Sequence, residues 1–384
     1  MYLRQLSIRN FRSWRAIDVS FEPGPSVLIG ANGQGKTNIA EAVMYVASLS
    51  SHRSPTDAPL IRVGAEQAII GAIVVAGGRE LRIEIEISAG RSNRAKLNGA
   101  VLPRPRDVLG GLRATLFAPE DLAIVRGDPA ERRRFLDDLL VARTPRLAGV
   151  RADYERVLKQ RSALLKSARP LRWGGTPHAG NGDVLATLDV WDAHLAATGA
   201  ALLAARLRLV AALRPYTVAS YSHVAPLAPG LSLRYVTALA AKDEPPAEEA
   251  TLEAALLTEL ARRRRDELER GVNLVGPHRD DLELRLGELP VRSYASHGES
   301  WSAALALRLG GYELLRDDSA PEVGPVLVLD DVFAELDAAR RDQLAVAASK
   351  AEQTLVTAAV SSDVPEALHG ARYDVSEGGV RRVA

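Results

Sequence analysis

The 384-residue sequence has no cysteine, two methionines and an aromatic content of 5%. Without thiols it has no disulfide, no thiolate metal site and no cysteine nucleophile, which suits a reducing cytoplasm. It also lacks an excess of either charge: 49 Lys and Arg against 48 Asp and Glu leave a net charge of +1. The chain is not a polycation, so any nucleic acid must be held by a local basic surface. No apolar run is expected to reach the length that spans a bilayer. The opening stretch MYLRQLSIRNF has no apolar core between a basic start and a cleavage site, and reads as a strand rather than a secretory signal.

Two motifs carry most of the chemistry. Residues 30–37 read GANGQGKT and residues 326–337 read VLVLDDVFAELD. In the first, Gly30, Gly33 and Gly35 permit tight turns and let backbone N–H groups approach phosphate oxygens. Ala31, Asn32 and Gln34 complete the cradle, and the helix that follows aims its positive end at the same anion. Lys36 reaches the β- and γ-phosphates of ATP, and Thr37 is a ligand for Mg²⁺. The motif follows the apolar run Val27–Ile29 and precedes a helical pattern over 38–49, the context a phosphate loop requires. In the second motif, four apolar residues bury a strand that ends in a carboxylate. Asp330 is placed to hold Mg²⁺ through water, and Asp331 to polarise the attacking water, with completion of the metal shell as its competing reading. Glu335 and Asp337 lie where the chain turns into the next helix, and Asp337 doubles as an N-cap.

Residues 38–325 separate the two motifs, more than a compact nucleotide-binding domain needs, so an arm inserted into an ATP-binding head is expected. Leu3, Leu6 and Ile8 followed by Ile17, Val19 and Phe21 predict a hairpin. Period-two alternation at Leu81, Ile83, Ile85 and Ile87, with an Asn98-Gly99 turn, predicts an antiparallel sheet beside the nucleotide site. From Asp128 the chain turns helical, with Pro129 suited to the first helical position. Leu147, Tyr154 and Arg161, then Leu188, Leu195, Leu202 and Leu209, recur every seven residues. Two helices joined by a Gly- and Pro-rich loop (Pro170–Gly182) and ending at Pro215 would form an antiparallel hairpin roughly 40 Å long at ~1.5 Å per residue. The fold class is therefore α/β: a P-loop head (1–127 and 270–384) with a flanking antiparallel sheet and an inserted, mainly helical domain (128–269).

A third element, Ser296-His297-Gly298-Glu299, precedes a helix expected near Ser302. A small hydroxyl, a glycine and a helix N-terminus make a second anion site, and a plain turn before a helix is the competing reading. In one subunit such a loop stands away from the glycine loop, so Ser296, Gly298 and Glu299 would close over the γ-phosphate of a partner, with two ATPs sandwiched in a homodimer.

These elements together resemble the ATP-binding cassette class, and within it the SMC-like repair ATPases of the RecF family. The resemblance rests on Asn10-Phe11-Arg12, GANGQGKT, FAPEDL at Phe117–Leu122, GPHRDDLEL at Gly276–Leu284, SHGES and VLVLDDVFAELD. It implies an ATP-dependent DNA-binding protein of recombinational repair and replication-fork maintenance. ATP-driven dimerisation would clamp gaps and single/double-strand junctions, and slow, DNA-stimulated hydrolysis would release them. It further implies work with RecO and RecR in loading RecA, and a place for Arg12 near the nucleotide phosphates. The sequence departs from the family at Glu299, where Gln is usual, and Thr357 or Ala358 stands where many cassette ATPases have a switch histidine. Asp331 is one methylene shorter than the cassette glutamate, as is usual in the family.

The densest basic runs, Arg132, Arg133 and Arg134 and Arg262, Arg263, Arg264 and Arg265, are candidates for sequence-independent phosphate contacts. Each also has acids at helical spacing, so a solvated, self-paired face is the competing reading. Two other readings share the ATP motifs: a transporter's ATPase subunit, and a scaffold with a degenerate ATP site.

Overall fold

The computed structural model describes residues 1–168, 181–239, 243–320, 323–368 and 370–383. The expected loop at 170–182 lies almost entirely outside them. The chain begins with β1 (Tyr2–Phe11), β2 (Trp14–Ser20), β3 (Gly24–Ile29), α1 (Lys36–Ser48), β4 (Gln67–Ala76), β5 (Arg79–Ser88), β6 (Arg94–Leu97), β7 (Ala100–Val101) and β8 (Ala114–Phe117). Helices follow: α2 (Leu122–Arg126), α3 (Pro129–Arg143), α4 (Leu147–Ala168) and α5 (Asn181–Val224), then β9 (Leu231–Val236) and α6 (Glu249–Arg270). The remainder is β10 (Asp281–Leu286), β11 (Leu289–Pro290), α7 (Val291–Tyr294), α8 (His297–Asp317), β12 (Val326–Asp330), α9 (Ala338–Ala348), β13 (Gln353–Ala358), β14 (Ala371–Ser376) and β15 (Gly379–Arg382).

The chain divides into two compact units, one of residues 1–125, 215–231 and 294–384, the other of residues 126–214 and 232–293. The expected division at 127/128 and 269/270 differs from this in two places. The GPHRDD segment and β10–β11 belong to the second unit, where β9 and β10 pair. The end of α5 belongs to the first, where Val224 joins a core cluster with Leu305 and Leu309 of α8.

In the first unit the antiparallel sheet runs β2-β1-β4-β5-β6-β7 and the second sheet β15-β14-β3-β13-β12-β8. Ile83, Ile85 and Ile87 of β5 are fully buried while Arg82 faces solvent, as a strand with one dry face requires. The β6–β7 turn uses Asn98 and Gly99 with φ of 51° and 86°, the paired left-handed conformation that favours this dipeptide. In the second sheet β14, β3, β13, β12 and β8 are mutually parallel. Val326 and Val328 of β12 face a core shared with α1 and the antiparallel sheet, whereas Leu327 and Leu329 face α8 and α9. Burial on both faces explains the unbroken VLVL run.

In the second unit Arg161 of α4 contacts Asp192 of α5 at 2.6 Å, and Tyr154 lies against Gly199. These pairings run in opposite directions along the two helices, so α4 and α5 are antiparallel. α4 alone spans about 33 Å at ~1.5 Å per residue. The expected end at Pro215 is corrected: Pro215 lies inside α5, which continues to Val224. Leu213, Thr217, Tyr221 and Val224 are buried, and this burial offsets the one helical hydrogen bond that proline cannot make. The expectation about apolar length is corrected too. Ala186–Val224 is long and apolar enough to cross a membrane, but 67% of its most apolar window is buried within the protein, which accounts for its composition.

Candidate nucleotide-binding site and signature loop

Parallel β3 and β12 end on the same edge of their sheet with β13 between them, in register Thr357 to Leu28 and Asp330 to Thr357. The loop after β3 and the carboxylate closing β12 are thereby brought together. Gly35 has φ of 92° and takes the N-cap position of α1. A Cβ there would stand 2.8 Å from the Trp14 ring, whose Nε1 donates to the Gly35 carbonyl at 3.1 Å. α1 has no side-chain cap and no acidic residue in its first turn. Its leading N–H groups are left for an anion.

Lys36 is 3% exposed, and its Nζ donates to the carbonyls of Gly30 at 2.8 Å and Ala31 at 3.2 Å. Asp330 is 2% exposed and accepts from Thr357 Oγ1 at 2.6 Å and Thr37 Oγ1 at 3.2 Å. Burial pushes its carboxyl up to about 6, and the neighbouring Asp331 adds to the shift. A buried carboxylate touching the hydroxyl that follows a phosphate-loop lysine suits a divalent cation on a triphosphate, because the cation relieves the desolvation that raises the carboxyl. Asp331 adopts φ of 49° and lines the adjoining cleft with Asn32, Gly33, Gly35, Lys36, Thr37 and Arg53. Its N–H donates to Thr357 Oγ1 at 3.0 Å. Thr357, at the expected switch position, thus braces both acids of the second motif.

Arg12 is not among the residues lining the cleft, though it shares Glu41 with Arg53, which is. The Arg12 guanidinium makes a two-pronged pair with Glu41 at 2.6 and 2.8 Å and donates to the Pro59 carbonyl. Glu41 is fully buried; burial raises its carboxyl, but hydrogen bonds from Arg12 and Ser51 outweigh this and hold it below the usual range. The arginine that lines the cleft is Arg53, which donates to Asn38 Oδ1 at 3.0 Å. Sequence reading missed Arg53 and Trp14, since neither belongs to a motif and each reaches the loop from a separate segment.

The expected helix start near Ser302 is corrected. α8 begins at His297, so Gly298 and Glu299 form its first turn and Ser296 is its N-cap. Ser296 Oγ accepts from the Glu299 N–H at 3.3 Å, and the Glu299 carboxylate accepts from the Ser296 N–H at 2.8 Å. This capping box needs Glu or Gln at its fourth position, so Glu299 does structurally what the usual Gln would do. The hydrogen bonds from Ser296 hold the Glu299 carboxyl below its ordinary value. Asp337 caps α9, accepting from the Arg340 N–H at 3.0 Å, and Glu335 lines a second cleft with Asn32 and Asp331.

Both basic runs are engaged inside the second unit. Arg132 is buried and pairs with Asp281 at 2.6 Å, and Arg134 lies 3.9 Å from Asp138. Arg262 and Arg263 share Glu259, Arg264 bonds Asp189 and Asp192, and Arg265 bonds Glu269. The self-paired reading therefore describes these side chains. The exception is Arg133, which donates to the Asp280 carbonyl at 2.7 Å; burial and nearby Arg206 hold its pKa below the ordinary value. Arg279 of GPHRDD is exposed and likewise held by a carbonyl, that of Asn273.

A family model described as RecF/RecN/SMC N terminal domain matches residues 2–377. The DNA replication and repair protein RecF of Streptomyces avermitilis is 54% identical over 386 residues, covering 100% of both chains. A solved structure of the recombination mediator protein RecF–ATP in the RecFOR pathway has a TM-score of 0.87 at 26% identity, over 100% of this chain and 98% of that one. The Smc head domain of Pyrococcus furiosus, bound to the C-terminal domain of ScpA, has a TM-score of 0.52 at 17% identity over 100% of this chain and 96% of that one. This last likeness is one of fold alone.

Proposed function

The chain belongs to the RecF family of DNA replication and repair proteins within the RecF/RecN/SMC class of ATPase heads, and from that premise we propose that it is an ATP-gated DNA clamp. The observation that carries this reading is the meeting of Lys36, Thr37, Asp330 and Asp331 at one sheet edge, while the capped turn Ser296–Glu299 supplies no residue to the cleft they line. The site is half of a pocket, and a second copy would supply the other half. Gly30 to Thr37 and the first turn of α1 would hold the phosphates. Thr37 and Asp330 would hold Mg²⁺, which neutralises charge developing on the transferred phosphoryl group. Asp331 would orient water, and as a short base in a left-handed backbone it suits the slow turnover of a switch.

ATP must bind the closed dimer better than the open monomer, since equal affinity for both would shift nothing. The closed pair would grip DNA independently of sequence at gaps and junctions in the cytoplasm, and would act with RecO and RecR in loading RecA, as partners in the pathway in which the solved relatives are described. Arg133 and Arg279, held by carbonyls instead of carboxylates, keep charge for DNA phosphates. Nothing here favours a transporter subunit, and the complete ATP constellation disfavours a degenerate scaffold.

Sedimentation of the full chain with ATP, Mg²⁺ and a gapped duplex tests this. Dimers are expected only with ATP, and Asp331→Asn should trap them while slowing hydrolysis at least about tenfold. A monomer under all conditions, or turnover indifferent to DNA, would reject the clamp. Charge reversal at Arg133 and Arg279 should lower DNA affinity and its salt slope by about one phosphate contact per arginine; an unchanged slope moves the DNA surface elsewhere.

A further inference from the structure

We propose that Arg340, on the first turn of α9, is the cation that lets the Ser296–Glu299 turn accept a partner's γ-phosphate, an inference that rests on the clamp reading. That turn presents a carboxylate where an incoming triphosphate would arrive, and like charges at close range repel. The capping box draws Glu299 back onto the Ser296 N–H but does not neutralise it. Arg340 brings a cation to the turn, shared with the Asp337 carboxylate on its other side. Its Nε donates to Ser302 Oγ at 2.8 Å, one helical turn beyond Glu299, and its Nη1 pairs with Asp337. These two bonds fix the guanidinium plane and leave Nη2 against Gly298, where an added Cβ would stand 3.0 Å from it. Among the described residues Nη2 has no acceptor, so its N–H groups remain available beside the backbone of the proposed phosphate turn.

A second observation marks the same place. Tyr221 is 1% exposed, yet its hydroxyl has no hydrogen-bond partner among the described residues. Burial raises its pKa, the field of Glu299 raises it further and that of Arg340 lowers it, although it bonds neither. A buried, unpartnered hydroxyl is uncommon in a finished fold, and this one lies in the field of the same two charges. A Cβ at 298 would press on the guanidinium and require it to give by a few tenths of an ångström. Arg340 is thus a positioning and charge-compensating residue acting across the dimer seam, distinct from Lys36 and Asp331, which act on the nucleotide held by their own subunit.

The test is ATP-dependent dimerisation of the full chain by sedimentation, with ATP affinity of the dilute monomer measured in parallel. Arg340→Gln should weaken dimerisation about tenfold or more, as expected for loss of a charge-assisted contact, and leave monomer affinity for ATP within about twofold. Glu299→Gln should tighten dimers on its own, and in the Arg340→Gln background should restore much of the loss, because it removes the charge that Arg340 offsets while keeping the capping box. Undiminished dimers in Arg340→Gln would overturn the assignment, as would an equal fall in monomer ATP affinity or failure of Glu299→Gln to rescue. The single Glu299→Gln change keeps the question answerable if Arg340→Gln misfolds: dimers no tighter than wild type count against it. A wild-type chain that stays monomeric with ATP would instead remove the clamp itself, and this assignment with it.

Discussion

In the second unit Arg161 and Arg206 are withdrawn from water and met by carboxylates, Arg161 by Asp192 and Glu267 and Arg206 by Asp137. In the candidate nucleotide cleft of the first unit Lys36 and Asp330 are as deeply buried but, among the described residues, hydrogen-bond only carbonyls and hydroxyls. The contrast separates charge used to fix a fold from charge held for a ligand. A buried ion with matched counter-ions has little left to offer a newcomer, and losing one partner strands the others. A buried ion solvated by neutral dipoles is only partly compensated, and a triphosphate with its metal supplies the remainder.

The contrast can be broken by substitution. Arg161→Met leaves Glu267 without its cation in the dry centre of the second unit and Asp192 with Arg264 alone, and should cost about 3–5 kcal/mol of stability, measured by denaturant unfolding; a loss below about 1 kcal/mol would show that the network is not taut. Lys36→Met has no carboxylate to strand. It should weaken ATP binding by about a hundredfold or more, an effect near 3 kcal/mol, while shifting nucleotide-free unfolding far less than Arg161→Met does. Equal destabilisation by the two changes would erase the distinction.

A subtler test uses His278, which receives a 2.6 Å contact from Tyr154 at Nδ1. Burial lowers its pKa to about 4, with Arg279, Arg133 and Arg161 adding to the shift against an opposing hydrogen bond with the Asn273 carbonyl. The unfolded chain binds a proton near pH 6.5 that the native state refuses until about pH 4, so this histidine makes stability fall as pH drops through that window. Neighbouring Asp280, raised by burial to about 6, works in the opposite direction. His278→Gln removes only the first effect. Relative to wild type the variant should gain about 2–3 kcal/mol on going from pH 7 to pH 4, and parallel pH profiles for the two proteins would refute the buried neutral histidine.

The parts of the site that sequence reveals are those whose chemistry fixes spacing along one segment. GANGQGKT and VLVLDD are of this kind, and Ser296-x-x-Glu299 is another, whose spacing also carries a capping box. Arg53 and Trp14 come from two separate segments, and nothing local marks their convergence on the loop. The arginine runs mislead for a related reason. Glu259 and Glu269 stand at helical spacing from Arg262 and Arg265 and are visible in the sequence, but Asp281 lies 149 positions from Arg132. Pro215 was read as a stop because proline breaks isolated helices, and only the tertiary burial of Leu213 to Val224 overrides that preference.

Trp14 has a practical consequence. Its indole lies against Gly35 and donates to the carbonyl immediately before Lys36. A triphosphate settling on that peptide would alter the field across an excited-state dipole that is among the most environment-sensitive in proteins. The molecule therefore carries a built-in optical gauge of occupancy, readable as a change in ultraviolet emission without any dye, and a Trp14→Phe chain would supply the blank.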